Sequence, residues 1–273
     1  MTIEPFCTEE IPAFLALAEA EQWVAESWEF EFLLSAFPQG CFTARGSDGE
    51  AVGFVTSLHH RLSGWIGNLI VAGEQRGKRI GQRLFGAALE ALRGAGAETY
   101  WLTASKSGQP LYEKYGFTRT DTIIRWIGKG RQKHGGLNDF GSGTLNAPAI
   151  DLDRLSWGDQ RDMLLAATVG RGNVLQDESG FISLQPCGDS VQIGPFAAGS
   201  VKCAEHLFED AIRTVALGTK IVLDAPVSNR AALRIFNHGK MRIAGSTELM
   251  YAGRKPDYRP ELVYGLATMG SCG

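Results

Sequence analysis

The sequence predicts an α+β fold built from two tandem copies of one unit, each a mixed, mostly antiparallel sheet flanked by helices. Three observations carry that expectation. The chain has 273 residues, a little under two domains at a typical ~150 residues each. Strand and helix periodicities alternate through the first half in the order β, α, α, β, β, β, α, β, α, β. The second half then repeats the first in four places, in order and at similar spacing.

The elements follow from local patterns. Ile11, Phe14, Leu15, Leu17 and Ala18 recur at helical spacing within residues 9–21. Thr8 stands where it can cap that helix, with Glu9 and Glu10 in the first turn. A second helix is predicted over residues 26–37, burying Phe30, Leu33, Leu34 and Phe37, and Pro38-Gln39-Gly40 ends it. Three strand-like runs follow at 41–45, 51–60 and 65–71, joined by short turns, so the early sheet is antiparallel. A long amphipathic helix spans 79–93 through Ile80, Leu84, Phe85, Ala88 and Leu92, and Gly94-Ala95-Gly96 stops it. A strand at 99–103, a short helix at 110–115 closed by Gly116, and a strand pair over 118–127 complete the unit. Residues 130–147 are rich in Gly, Lys, Arg, Asn and Ser without apolar period, which predicts a linker between domains at 1–129 and 148–273.

In the repeat, Leu84-Phe85 is answered by Leu207-Phe208 at the same point of a long helix. The helix ends at Gly94-Ala95-Gly96 in one copy and Ala216-Leu217-Gly218 in the other, and a strand follows each, at 99–103 and 220–223. Ser105, Leu111-Tyr112 and Gly116 are answered by Asn229, Ile235-Phe236 and Gly239. A predicted hairpin at 181–186 and 190–196 stands where 51–60 and 65–71 stood.

Composition excludes several classes. With 44% hydrophobic and 21% charged residues the bulk of the chain is neither disordered nor fibrous. A formal charge of -3 gives no global attraction to nucleic acid or an anionic membrane. No apolar run approaches the ~18 residues of a membrane span, and the first residues show no signal-peptide pattern. The five cysteines (Cys7, Cys41, Cys187, Cys203 and Cys272) form no Cys-x-x-Cys pair and read as reduced thiols of a cytoplasmic protein. No metal site is expected, since adjacent His59 and His60 point to opposite faces of a strand.

The chemistry concentrates in residues 66–84. A strand enters a loop of glycines and cations, Arg76-Gly77-Lys78-Arg79-Ile80-Gly81, which runs directly into a helix. Free N–H groups and the positive dipole end of that helix, with Arg76, Lys78, Arg79 and Arg83 nearby, form a cradle suited to pyrophosphate. A solvated, basic helix start is the other reading of the same residues. No Gly-Lys-Ser/Thr is present, and the antiparallel strands before the loop do not make a dinucleotide-binding βαβ unit.

Strand Leu69-Ile70-Val71, this loop, and Leu111-Tyr112-Glu113-Lys114-Tyr115-Gly116-Phe117 together resemble the GNAT superfamily of acyl-CoA-dependent N-acetyltransferases. The resemblance covers about residues 3–128, and the second copy is similar to the degenerate second domain of tandem members. The family loop reads Gln/Arg-x-x-Gly-x-Gly/Ala. Arg76 and Gly81 match it, and Arg79 stands where the first Gly is expected.

The resemblance implies acetyl-CoA as acyl donor, no metal, and an acceptor that is a small-molecule or peptide primary amine of unspecified identity. The donor's pyrophosphate would sit on residues 76–82 (Arg76, Gly77, Lys78, Arg79, Ile80, Gly81 and Gln82), its pantetheine beside Leu69, Ile70 and Val71, with Ser105 close by. An amide near Ile70 or Val71 would stabilise the oxyanion. The Arg79 amide can still donate if φ stays negative, and its side chain is expected to turn outward, toward the donor's 3′-phosphate; weaker donor binding is the alternative. Tyr112 would be the acid that protonates the leaving thiolate; read alone, it is a packing tyrosine at a helix end, as is Tyr115. The carboxylate that some members carry on the fourth strand is replaced by Trp65, leaving Glu26, Glu29, His59, His60 or a water relay as base. Trp23 and Trp28 line the acceptor pocket or serve as core aromatics. The second copy lacks the basic loop and carries Ile235 and Phe236 at the tyrosine position, so it is expected to bind no acyl-CoA and to shape the acceptor site. A non-catalytic acyl-CoA sensor is the alternative function, and oligomeric state is left open.

Overall fold

The structure is a computed structural model that describes residues 1–132 and 140–273. The first half contains β1 (Thr2–Pro5), α1 (Ile11–Ala20), α2 (Ser27–Ala36), β2 (Phe42–Arg45), β3 (Ala51–His59), β4 (Ser63–Val71), α3 (Ile80–Gly94), β5 (Thr99–Ala104), α4 (Gln109–Glu113) and β6 (Thr118–Lys129). The second contains α5 (Ala147–Trp157), α6 (Asp162–Val169), β7 (Asn173–Gln176), β8 (Gly180–Cys187), β9 (Ser190–Ala198), α7 (Val201–Thr214), β10 (Lys220–Pro226), α8 (Arg230–His238), β11 (Arg242–Gly253) and β12 (Val263–Gly265). Part of the predicted 130–147 linker, residues 133–139, lies outside the described residues. The described start of that stretch is pinned to the second half, with Gly130 and Arg131 amides donating to the Thr219 and Ile212 carbonyls.

Helix α3 forms where its pattern placed it. Ile80, Leu84, Phe85, Ala88 and Leu92 are all buried against the sheet, joined by Leu89. Leu84 is fully buried, a contribution of roughly 1.5–3 kcal/mol for a leucine taken from water. The cap of the first helical segment differs from expectation. A 3-10 turn over Thr8–Glu10 precedes α1, and the Cys7 amide donates to Glu10 Oε2, so Glu10 braces that turn while α1 itself carries no side-chain cap from Thr8.

The two halves share one continuous sheet. Its order is β1-β2-β3-β4-β5-β11-β6-β10-β9-β8-β7, with β12 added on β9. The last strand of each half has changed places. β11 pairs with β5 of the first half, while β6 pairs with β10 of the second, and the two exchanged strands pair with each other. This corrects the expected strand pair at 118–127: the segment is a single strand whose partners come from the second half. A lone hairpin would have left one edge open, whereas the exchange gives both strands two neighbours.

Aromatic packing closes the seam between the halves. Trp157 meets Trp65 and Trp101 at ring distances of 6.4 and 5.9 Å, and Arg161 stacks on Trp157 while pairing twice with buried Asp153. Asp159 accepts hydrogen bonds from the Leu62 and Ser63 amides and the Ser63 hydroxyl, tying the β3–β4 turn to the second half. Among the described residues no helix is long and apolar enough to cross a membrane.

Candidate functional site

Strands β4 and β5 run parallel and pair only over Ser63–Trp65 and Thr99–Trp101. Beyond that point they carry on without pairing each other, which leaves a slot between Ile66 and Val71 on one side and Thr103 on the other. A bulge in β4 sharpens the divergence. The register with β3 jumps between Gly67 and Ile70, and Asn68 sits at φ 54°, a left-handed value that asparagine tolerates better than most residues.

From Val71 the chain turns through Gly73–Gln75 into α3. Gly77 has φ 80° with open space where a β-carbon would stand, so it is the left-handed backbone, not crowding, that favours glycine there. Arg79, the residue before the helix, has φ 62° and ψ 17°. The negative φ on which donation by this amide is conditioned is not adopted. The loop keeps the left-handed turn that a glycine would take, and arginine adopts it at a cost, with its side chain exposed to solvent as expected. Among the described residues, the amides of 77–82 find no hydrogen-bond acceptor, which leaves a run of N–H groups at the positive end of a helix 15 residues long.

The cations divide by role. Arg76 donates to the Val71 carbonyl and pairs with Glu21 at 2.5 Å, so it ties the loop to the end of α1. Lys78 and Arg79 form no ion pair among the described residues.

Next to the slot lies a cavity of about 400 Å³ between the halves. Its walls are Trp23 in the α1–α2 connection, Trp28 in the first turn of α2, the β4 bulge, Ser105 and Tyr112, the inner face of the second half's sheet, and residues 267–271. Tyr112 packs its ring on Phe85 at 5.0 Å, and burial pushes its phenol up to about 12, so it stays protonated across the neutral range. Tyr115 instead packs on Phe85 from the other position and donates to the Gln82 carbonyl.

The four base candidates separate clearly. His59 and His60 do not line the cavity; His59 packs on Phe37, and burial drives His60 down to about 3, beside Arg161. Trp65, at the strand position of the missing carboxylate, is buried in the aromatic seam. Glu26 lines the cavity but is engaged, accepting from Trp28 Nε1, the Gly188 amide and Arg171, whose guanidinium stacks 3.9 Å from the Trp28 ring. Glu29 is the carboxylate left to face the cavity. Burial raises its pKa to about 7, Glu26 adds to the rise, and Ser271, Arg171 and Arg125 oppose it.

Residues 6–117 match the family model described as Acetyltransferase (GNAT) family, and residues 149–265 match one described as Acetyltransferase (GNAT) domain. The chain belongs to the GNAT acetyltransferases. An acetyltransferase-assigned structure from Pyrococcus horikoshii is similar over 100% of this chain and 95% of its own, with 23% identity and a TM-score of 0.84. A GCN5-related N-acetyltransferase from Sphaerobacter thermophilus is similar over 98% of both chains, at 16% identity and a TM-score of 0.62. At these identities the likeness shows the fold. No curated protein matches the chain.

The second GNAT unit differs from the first at the equivalent places. Between β9 and α7 there are only Gly199 and Ser200, and the Ser200 hydroxyl caps the helix by accepting from the Cys203 amide. Its counterpart of the slot is filled by the chain itself, since β12 pairs with β9 and the Leu266 amide donates to Asp224 on β10. Ile235 and Phe236 are both buried in the core.

Sequence reasoning missed four groups of this site: Asn68, Arg125, Arg171 and residues 267–271. Asn68 had a readable signal, an Asn after Gly inside a strand pattern. Arg125 is held by two 2.8 Å hydrogen bonds to buried Asp224 across the strand exchange, which no local pattern announces.

Proposed function

We propose that the chain is an N-acetyltransferase with one working site, in the first GNAT unit, that moves an acetyl group from acetyl-CoA to a primary amine. The observation that carries this reading is the meeting of three parts at one cavity: the β4–β5 slot, Tyr112 and Glu29. The unpartnered amides of 77–82 and the open β4 edge fit the donor's pyrophosphate and its extended arm. The donor supplies an acetyl thioester; the remaining work falls to the chain.

Glu29 accepts the amine's proton. A lysine-like amine with a pKa of ~10.4 is free in under about one part in a thousand at pH 7, so a base is needed. A carboxylate near 7 is matched to that task. Amides at the β4 bulge face charge developing on the carbonyl oxygen. Tyr112, held protonated by burial, returns a proton to the departing sulfur. The second unit supplies the far wall of the cavity, where the amine's substituent would lie.

Calorimetric titration with acetyl-CoA tests this reading. One site per chain is expected, weakened at least tenfold by Gly77→Val, because a β-branched residue resists φ near 80°. Two sites per chain, or no binding at millimolar ligand (weaker than about -4 kcal/mol), would overturn it.

A further inference from the structure

We propose that the acceptor is a small amine that also carries a carboxylate, and that Arg125 holds this carboxylate on the second half's wall while the amine end turns to the slot. The proposal rests on reading the cavity as the acceptor site of an acetyltransferase.

The cavity wall is divided by charge. Among the described residues its two carboxylates are Glu26 and Glu29, at the entrance and in the first turn of α2. Its cations are Arg125 on β6, Lys220 on β10 and Arg171 after α6, all on the side of the second half's sheet. Arg171 is already engaged. Its Nη1 donates to the Pro186 carbonyl, its Nη2 reaches Glu26, and its guanidinium lies over the Trp28 ring. Lys220 makes no ion pair or side-chain hydrogen bond among the described residues.

Arg125 is fixed and only half used. Asp224, fully buried, accepts from its Nε and Nη2 at 2.8 Å each, which sets the plane of the guanidinium. A guanidinium has five N–H donors, so three are left, two on Nη1 and one on Nη2. None of these finds an acceptor among the described residues. The Nη1 and Nη2 hydrogens that remain form the edge that takes a carboxylate through two parallel bonds. Asp224 balances the charge of Arg125, so what Arg125 lacks is hydrogen bonding. Lys220 supplies the unbalanced positive charge from the same face of the sheet, four residues before Asp224 on β10. The Arg125 side chain is 32% exposed, so a charged partner there meets less competition from water than on an open surface.

A plain alkylamine would satisfy neither group. It would leave the Arg125 donors to water and bring a second positive charge to a cavity that holds Lys220. An amine with a carboxylate places each end against its complement, the ammonium toward Glu29 and the anion toward Arg125. The cavity volume of about 400 Å³, shared with the acetyl end of the donor, suits a small molecule.

The test is acetyl transfer, followed by release of the CoA thiol, to the common α-amino acids, β-alanine and γ-aminobutyrate. Each acid is compared with its own carboxamide at equal concentration of free amine. At least one acid should exceed its carboxamide in kcat/KM by about tenfold or more. Arg125→Lys keeps a charge beside Asp224 but loses the forked edge, and should bring that ratio close to one through a higher KM for the acid. Lys220→Met, at an exposed position, should lower the ratio by a smaller factor. The ratio is taken within one preparation, so partial unfolding of a variant does not move it. A carboxamide equal to or better than its acid throughout the set would overturn the proposal and leave the acetyltransferase reading standing. Transfer to no member of the set, by a chain that binds acetyl-CoA, would do the same. A preference for the acid that neither variant reduces would overturn the role of Arg125. Failure to bind acetyl-CoA would overturn the underlying reading and the proposal with it.

Discussion

Glu29 works against the fold that contains it, and the size of that opposition can be worked out. Its pKa is about 7 in the folded chain against an ordinary 4.5. Between those values the folded chain binds more protons at this position than the unfolded chain, so stability falls as pH rises. Below 4.5 both states are protonated and the group contributes nothing. Above 7 both are ionised and the full cost is present, about 3 kcal/mol at ~1.4 kcal/mol per unit. Glu29→Gln keeps the shape and removes the titration. Its unfolding free energy should exceed the wild type's by less than about 1 kcal/mol at pH 5 and by about 3 kcal/mol at pH 8.5. Urea unfolding followed by tryptophan fluorescence at the two pH values reads the difference. A stability difference that does not change with pH would refute the burial argument, and with it the reason Glu29 is poised near neutrality.

Other expectations follow from the same structure. Tyr112→Phe keeps the ring contacts with Phe85 and should lower turnover by roughly a hundredfold or more with acetyl-CoA affinity intact, as steady-state kinetics and calorimetry would show. Arg79→Gly relieves a left-handed arginine, worth roughly 1–2 kcal/mol, against roughly 0.5–1 kcal/mol of added chain entropy. A rise in urea midpoint is expected, and a fall would mean the arginine side chain stabilises the loop. Residues 1–132 alone should show no cooperative melt by circular dichroism, since β5 loses β11 and β6 loses both its neighbours. A sharp transition would mean the strand exchange is dispensable.

Much of the fold was legible because its signals are local. The apolar stripe of α3, the strand-like runs of β3 and β4, and the Gly77 turn depend only on a residue and its near neighbours. The repeat was legible for the same reason, and so was the absence of a basic loop in the second unit. Tyr112 was named from a seven-residue motif, and the structure places it on the cavity. The limits were equally physical. Alternation says which face of a strand is buried, but not which strand lies beside it, so the exchange of β6 and β11 was invisible. Four residues and a water relay stayed open as the base because a pKa is set by what surrounds a group, not by its type.

What the sequence determined by itself was the inventory: two GNAT units, one Gly/basic helix start, one tyrosine at the right motif position, and no second copy of either. What only the tertiary structure decided was the assembly of the site. It left His60 buried and Trp65 in a seam, turned Glu26 into a brace, and brought Glu29 onto one cavity with Asn68 and Ser271. The reason is range. Backbone conformation is governed by a few adjacent residues, whereas burial and charge at one carboxylate sum over segments that only the completed fold brings within hydrogen-bond distance.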